Sequence, residues 1–179
     1  MSAGVSSTTT ISMPQLSDDP KHRAGEEKCI ADIATHDLHV LRVHGDNDWP
    51  EFTYSVGLHE RFGIPEVIIL GLRGELAHSL LNELAARARE GERIAAGDTL
   101  SGLLEGFDVV LLPVPEHHIE PHFGWALWYY DGRPFPAVQL VYPTTSGIWP
   151  WDPEASEHFK ANQPLLESVP VPEWARRPS

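Results

Sequence analysis

The chain has 179 residues, with 26 acidic and 13 basic side chains and a formal net charge of −13. Its one cysteine excludes an internal disulfide and the structural zinc sites that need two or more cysteines. A chain of this length buries enough surface for one core, so we expect a single domain that needs no covalent or metal staple.

Most of the negative charge belongs to residues 29–179 rather than to the N-terminal segment. An acidic body repels polyphosphate backbones and anionic lipid heads, so we expect no nucleic-acid binding and no membrane binding. No apolar run reaches the length of a membrane span, and residues 1–28 lack the features of a secretory signal. Together with the lone thiol, these features favour a cytoplasmic protein.

Residues 1–28 are rich in Ser and Thr and poor in aliphatic side chains, which predicts a disordered N-terminal leader. A single globular domain is expected over residues 29–167. Residues 168–179 are rich in proline and predict an extended C-terminal tail.

Three strands are predicted in the first half of the domain, at residues 38–44, 52–58 and 67–70. Apolar side chains alternate with small ones through residues 52–58, as in a half-buried strand. Residues 67–70 are continuously apolar and too short for a helix, which favours a strand buried on both faces.

Residues 75–90 carry the clearest helical pattern, because Leu76, Leu80, Leu84 and Ala88 recur every four residues. A short helix at residues 99–104 and a buried strand at 107–114 follow. This order gives one strand–helix–strand crossover, from residues 67–70 to residues 107–112.

Residues 120–131 fit two structures. Pro121 suits a first helical turn, but Asp131-Gly132 also suits a two-residue hairpin loop before a strand at 137–142. We favour the helix, and a further short helix is expected at 154–160. The fold class is therefore α+β (or α/β), with a mixed, mostly buried sheet of about five strands and two or three helices.

Three histidines, His117, His118 and His122, stand close together, with Glu116 directly before them and Glu120 between His118 and His122. Imidazole and carboxylate groups bind zinc or iron, so these histidines are weak candidates for a metal site. The neighbouring prolines make a regular helix through His118 doubtful, and a polar loop explains the same residues. We therefore predict no cofactor, with a divalent metal as the minor alternative.

Glu66 precedes the most apolar predicted strand and is the first candidate for a catalytic group. A buried carboxylate has a shifted pKa and serves as an acid or base, although a solvated or structurally bonded Glu66 is equally compatible with the sequence. Tyr54 and His59 are further catalytic candidates. Ser55 lacks the glycine two positions earlier that a nucleophile elbow requires.

Nine of the sixteen aromatic side chains fall within residues 123–151, where prolines are also frequent. Such side chains build either a core or the wall of a pocket. Gln139 lies in mid-strand and requires hydrogen-bond partners, either backbone or a ligand. The candidate ligand-binding residues are Tyr54, Ser55, Glu66, Gln139, Thr144, Trp149 and Trp151.

The motifs Phe52-x-Tyr54-Ser55-x-Gly57-Leu58 and Phe135-Pro136-x-x-Gln139-Leu140-Val141-x-Pro143 are recognisable, as are later Pro150-Trp151 and Gln163-Pro164-Leu165-Leu166. Across residues 30–167 the chain resembles the bacterial family called domain of unknown function 4262. That resemblance implies no particular activity, substrate or cofactor. The family often has Asp after the proline of the second motif, whereas Thr144 stands here.

Two functions fit this sequence. The first is a binding or interaction domain with an aromatic-lined site for a small molecule or a protein. The alternative is a small-molecule hydrolase with Glu66 as general base, acting alone or, in a variant of this hypothesis, with a metal. It requires Glu66 and Gln139 to converge on one concave site.

Overall fold

The computed structural model describes residues 13–167 and shows one mixed six-stranded sheet with helices on both faces. The strand order is β1-β2-β3-β6-β5-β4, and only the β3–β6 pair is parallel. The strands are β1 (His39–Val43), β2 (Phe52–Val56), β3 (Glu66–Leu70), β4 (Thr99–Leu104), β5 (Phe107–Pro113) and β6 (Ala137–Val141). This confirms the α+β single domain, with one strand more than expected.

The helices frame this sheet. They are α1 (Pro20–His36), α2 (Leu58–Phe62), α3 (Gly74–Arg89), α4 (Ile119–His122), α5 (Gly124–Tyr129) and α6 (Glu157–Asn162), with a short 3-10 helix at Glu116–His118 before α4. Helices therefore occupy the region where helix and hairpin were both compatible with the sequence. No helix in residues 13–167 is long and apolar enough to cross a bilayer.

Helix α3 covers one face of the sheet. Its buried side chains include Leu80, Leu81 and Leu84, which pack with Val67 and Ile69 of β3. Leu76, which the four-residue repeat assigned to this stripe, is instead exposed, because the buried stripe passes through Ala77. The predicted helix is thus correct and its buried face is rotated.

Helices α1 and α5 cover one half of the opposite face. Cys29 and Ile33 of α1 and Phe123 just before α5 pack on Tyr54 and Ile68. The other half lies over β5 and β6 and is covered by Trp149, Trp151 and Leu165 from the C-terminal segment. Strands β2, β3 and β6 are therefore buried on both faces, whereas the edge strands β1 and β4 are partly exposed.

Two of the sequence predictions need correction. Helix α1 begins at Pro20, so residues 20–28 are helical rather than part of a disordered leader; residues 1–12 and 168–179 lie outside the described part of the chain. Residues 99–104 form strand β4, not a helix, because they pair with β5 through a tight turn at Gly106.

The predicted crossover is also wrong in its end point. Helix α3 leads from β3 to β4 at the sheet edge, and two strands separate β4 from β3. Strand β4 is antiparallel to β5, β5 is antiparallel to β6, and β6 is parallel to β3. Strand β4 therefore runs in the same direction as β3.

Candidate functional site

The carboxyl group of Glu66 lies at the start of β3 and is fully buried. Its Oε1 accepts hydrogen bonds from the backbone N–H of Gly57 at 2.8 Å and of His59 at 3.1 Å. Both donors belong to the start of α2, where backbone N–H groups have no partner within the helix. Glu66 therefore takes the place of an N-cap side chain, which Gly57 cannot provide.

Two hydroxyl groups complete the shell of this carboxylate. Ser55 donates its hydroxyl hydrogen to Oε2 at 2.5 Å, and its oxygen accepts the N–H of Val67 at 2.9 Å. The Tyr130 hydroxyl donates to Oε1 at 2.5 Å and accepts the N–H of Glu60 at 3.3 Å. All four groups around Glu66 are donors, which is the arrangement that an ionised carboxylate needs.

Burial raises the pKa of the Glu66 carboxyl above its usual range, while the hydrogen bonds from Ser55 and Tyr130 oppose that shift. Burial and the nearby Glu66 charge together raise the pKa of Tyr130. The Tyr130 hydroxyl therefore stays protonated and remains a donor to Glu66.

The predicted role of Glu66 as a general base meets a geometric obstacle. None of its surface is exposed, and both oxygens already accept hydrogen bonds from the protein. A substrate cannot contact this carboxylate while Ser55, Tyr130 and the start of α2 keep their hydrogen bonds to it. What the arrangement does directly is hold β2, α2, β3 and the end of α5 together.

Tyr54 and His59 occupy different environments. The hydroxyl oxygen of Tyr54 accepts the backbone N–H of Trp125 at 3.1 Å inside the core, and burial raises the pKa of this tyrosine. His59 lies on α2 with its ring 6.0 Å from that of Tyr130. Its Nδ1 is buried and has no hydrogen-bond partner in residues 13–167. Glu66 contacts the backbone of His59 but neither candidate side chain.

In the parallel pair of β3 and β6, Gln139 lies opposite Ile68, and Ile68 shares a face of β3 with Glu66 two positions earlier. Gln139 therefore lies on the same face of the sheet as Glu66. The two side chains do not converge. The Gln139 amide donates to the carbonyl of Pro164 and accepts the N–H of Leu166, both at 2.9 Å. Of the two alternatives for Gln139, the structure shows backbone partners.

Gln163 fastens the same segment at a second point. Its amide oxygen accepts the N–H of Tyr142 at 3.0 Å and its nitrogen donates to the carbonyl of Tyr142 at 2.9 Å. This side chain thus bonds to Tyr142 as a neighbouring strand would. The motif glutamines explain how an irregular C-terminal segment is held against β6.

The remaining ligand-binding candidates lie in this segment. Trp149 and Trp151 stack with ring centroids 5.0 Å apart and cover Val110, Leu112 and Val141. The Thr144 hydroxyl accepts the N–H of Ile148 at 3.1 Å and closes a turn. The structure therefore separates these residues from Glu66 and places them in a packed cover over β5 and β6.

The three histidines lie near one another without forming a metal site. The rings of His117 and His118 are 4.3 Å apart, and those of His118 and His122 are 5.4 Å apart. The Nδ1 of His122 lies 3.0 Å from the carbonyl oxygen of His118, and the ring packs at 4.5 Å from Trp49. Within residues 13–167, no three His, Cys, Asp or Glu side chains are grouped to hold a metal ion.

A cleft of about 880 Å³ opens at the end of the sheet where β3 and β6 begin and β5 ends. Its lining is mostly apolar, with Leu127 of α5 on one wall. Three charged side chains, Glu116, Glu120 and Arg133, also line it. The other lining residues are Pro65, Ala96, Pro113, Val114, Ile119, Gly132, Pro134, Phe135, Pro136, Ala137 and Val138.

A smaller cavity of about 240 Å³ adjoins this cleft, since Arg133 and Pro134 line both. His59, Glu60 and Tyr130 form its other walls. The guanidinium of Arg133 donates from Nε to the carbonyl of Tyr130 at 2.8 Å. No carboxylate in residues 13–167 pairs with it. The positive charge at the junction of the two cavities is therefore not neutralised by an ion pair there.

Sequence reasoning assigned functional candidates to strand residues and did not identify this cleft. The available signal was the group of prolines at 113, 115, 134 and 136, which stops the strands at one end of the sheet. The exposed Pro134 and Pro136 and the half-buried Leu127 leave a concave apolar surface there.

A third cavity, of about 670 Å³, lies among α1, β1 and α3 and is polar. Its charged groups bond mainly to one another. Asp32 binds Lys28 at 2.6 Å and the Nδ1 of His39 at 2.7 Å, and Asp37 binds Arg89 at 2.8 Å. These pairs satisfy the polar lining, so this cavity has a weaker case as a ligand site.

A family model described as Domain of unknown function (DUF4262) matches residues 32–156. The match spans β1 to the segment before α6 and thus includes all six strands. Comparisons with curated proteins and with solved structures gave no match.

Proposed function

We propose that this chain, which belongs to the family described as Domain of unknown function (DUF4262), is a binding domain for a small molecule with an apolar body. The proposed site is the cleft of about 880 Å³ at the start of β3 and β6. A volume of this size and a mainly apolar lining with a few polar groups are typical of small-molecule sites.

Leu127 is the observation that carries this proposal. It is half-buried, yet it is not among the side chains that pack on the three apolar clusters of residues 13–167. An apolar side chain that lines a cleft without packing on a core is available to a ligand. Arg133, which has no carboxylate partner there, supplies a polar contact at the mouth.

The test compares two leucines on helices. Leu127→Glu places a carboxylate in the apolar wall, whereas Leu76→Glu places one at an exposed position of α3, remote from the cleft. Compounds with aromatic or aliphatic bodies are screened by amide NMR shifts in the unmodified chain. We expect shifts at Leu127, Phe135 and Arg133 that Leu127→Glu abolishes and Leu76→Glu preserves. Compounds that bind Leu127→Glu equally well would contradict the site.

The hydrolase stays a prediction with less support. Its proposed base, Glu66, is fully buried and hydrogen-bonded on both oxygens. The observation in its favour is that Tyr130 links Glu66 to the small cavity that His59 also lines. Hydrolysis of a chromogenic ester by the unmodified chain, lost in both Tyr130→Phe and His59→Gln, would favour this function over binding alone.

A further inference from the structure

We propose that residues 168–179 of this chain occupy the cleft and compete there with its ligand. The competition rests on the proposed binding function, whereas occupation of the cleft by the chain itself does not. Three observations support this occupant: the course of the chain up to Glu167, the composition of the segment that follows, and the charge at the rim of the cleft.

The described chain ends beside the cleft. The N–H of Leu166 donates to the Gln139 amide oxygen at 2.9 Å, and the Leu166 side chain packs in the cluster that contains Ala137. Ile119 and Phe135 pack on the same cluster, and Ala137, Ile119 and Phe135 all line the cleft. The carboxylate of Glu167 lies close enough to act electrostatically on His118, which precedes α4.

The segment that follows is long enough to enter the cleft. Trp174 is seven residues beyond Glu167 in the sequence, and seven extended residues span roughly 23 Å. Its larger apolar side chains, apart from proline, are Val169, Val171 and Trp174. Two prolines between them, Pro170 and Pro172, restrict the backbone and so lower the entropy that docking would cost.

The charges of the two surfaces are complementary. Glu116 and Glu120 are exposed at the rim, and neither forms an ion pair within the described chain. Arg176 and Arg177 follow Trp174 by two and three positions. With Trp174 in the apolar part of the cleft, these arginines lie within reach of the two glutamates. Complementary charges of this kind orient a docked segment.

Occupation of the cleft is tested first without any ligand. Amide NMR spectra of the full chain and of its Trp174→Ala variant are compared, and we expect shift differences at Leu127, Phe135 and Arg133. A double variant R176E/R177E should reproduce these differences, as should E116R/E120R. The fourfold charge exchange should restore the original spectrum. Arg73→Glu, at the opposite end of β3, is the control and should leave the cleft signals unchanged.

Competition is tested with a named probe, anilinonaphthalene sulfonate, which has an apolar body and one negative charge. A tail at an effective concentration of about 1 mM that docks with a dissociation constant near 0.1 mM weakens probe binding about tenfold. We therefore expect Trp174→Ala to bind the probe about tenfold more tightly, and Leu127→Glu to bind it poorly.

The two proposals fail in different ways. Cleft signals that do not respond to Trp174→Ala or to the charge variants would overturn occupation by residues 168–179. Shift differences that scale with protein concentration, together with a doubled molecular mass, would also overturn it, because the occupant would be a second copy. The cleft signals can respond to the tail and charge variants as expected while Leu127→Glu leaves probe binding unchanged. That result would overturn the proposed ligand site but not the docking of residues 168–179.

Discussion

Tyr130 donates its hydroxyl hydrogen to Oε1 of Glu66 at 2.5 Å, although 64 positions separate the two residues in the chain. This bond joins the end of α5 to the start of β3 beneath α2. The same Glu66 oxygen accepts two backbone N–H groups at the start of α2, so this one oxygen joins β3, α2 and the end of α5.

Removal of the Tyr130 hydroxyl should destabilise the fold more than removal of a comparable hydroxyl elsewhere. Tyr130→Phe deletes a donor to a carboxylate and leaves the Glu60 N–H without its acceptor. We expect a loss of about 1.5–3 kcal/mol in the free energy of unfolding, measured by urea denaturation at pH 8.

Tyr142→Phe is the matched control for this change. Tyr142 is as buried as Tyr130, but its hydroxyl donates to a neutral acceptor, the carbonyl of Leu70, at 2.9 Å. We expect a loss of about 0.5–1.5 kcal/mol there. Equal losses in the two variants would mean that Glu66 carries no charge at that pH.

Glu66→Gln should give a pH-dependent loss of stability. The NH2 group of a glutamine cannot accept the hydrogen bonds that the Glu66 side-chain oxygens accept, with or without a proton on the carboxyl group, so near pH 4.5 we expect the variant to lose about 1–3 kcal/mol. Because burial raises the pKa of Glu66, the folded protein holds this proton more tightly than the unfolded chain does. The stabilisation that comes from this tighter proton binding is fully present below the ordinary pKa of 4.5 and is lost as pH rises through the folded-state pKa of Glu66.

The measurement is the difference in unfolding free energy between the original chain and Glu66→Gln from pH 4.5 upward. We expect that difference to shrink as pH rises. Glu75→Gln, on the exposed side of α3, serves as the control and should show no such trend. A difference that grows with pH would show that the four donors outweigh burial and that the pKa of Glu66 is lowered.

His122→Phe should reduce the acid sensitivity of the fold. His122 is surrounded by Trp49, Phe52 and His118, and burial lowers its pKa below the ordinary 6.5. The unfolded chain therefore binds this proton more readily, and stability is lost as pH falls below 6.5. We expect His122→Phe to lose less stability between pH 7 and pH 5 than the original chain, measured by thermal unfolding.

His158→Phe, on the exposed side of α6, is the control for that experiment and should keep the original pH dependence. An unchanged pH dependence in His122→Phe would assign the acid sensitivity to another group. His39 is the next candidate, because burial lowers its pKa as well.

Gly71→Ala should disrupt the contact between β3 and α6. Gly71 has φ of 74°, and an added Cβ would lie 2.0 Å from the backbone oxygen of Asn162. We expect a loss of at least about 3 kcal/mol, from left-handed strain together with the displaced backbone. Gly106→Ala has φ of 80° with nothing within 4 Å, and should lose only about 1–2 kcal/mol by strain. Urea denaturation of both variants separates the clash from the strain.

The elements with a strong local pattern were predictable. The apolar stripe of α3 reflects burial that repeats at the helical period. The alternation in residues 52–58 correctly predicted a strand, but the expectation that it is half-buried is wrong: every residue of β2 is buried, including Thr53 and Ser55. Strand β4 was not predictable, because Thr99–Leu104 acquires its conformation from pairing with β5. Helix α1 was missed for a different reason: its buried residues are only Glu26, Cys29 and Ile33, and one of these is a carboxylate.

The candidate site was predictable only in part. Glu66 was identified as a carboxylate at a strand start, and the structure shows it bonded to Ser55 as well as to α2. Its partner Tyr130 comes from a distant helix, and no local pattern connects the two. The cleft forms where several strands begin or end. Only the tertiary structure therefore shows that Leu127 and Arg133 line the same cavity.

Strand β6 has a consequence for how this protein is made. Within residues 13–167 it is the last strand along the chain, yet it lies between β3 and β5 and is the sole link between the two halves of the sheet. During synthesis, β1–β3 and the β4–β5 hairpin emerge first, each with an open edge. We expect nascent chains halted before Ala137 to be protease-sensitive and bound by chaperones, and chains extended past Leu166 to become resistant in one step.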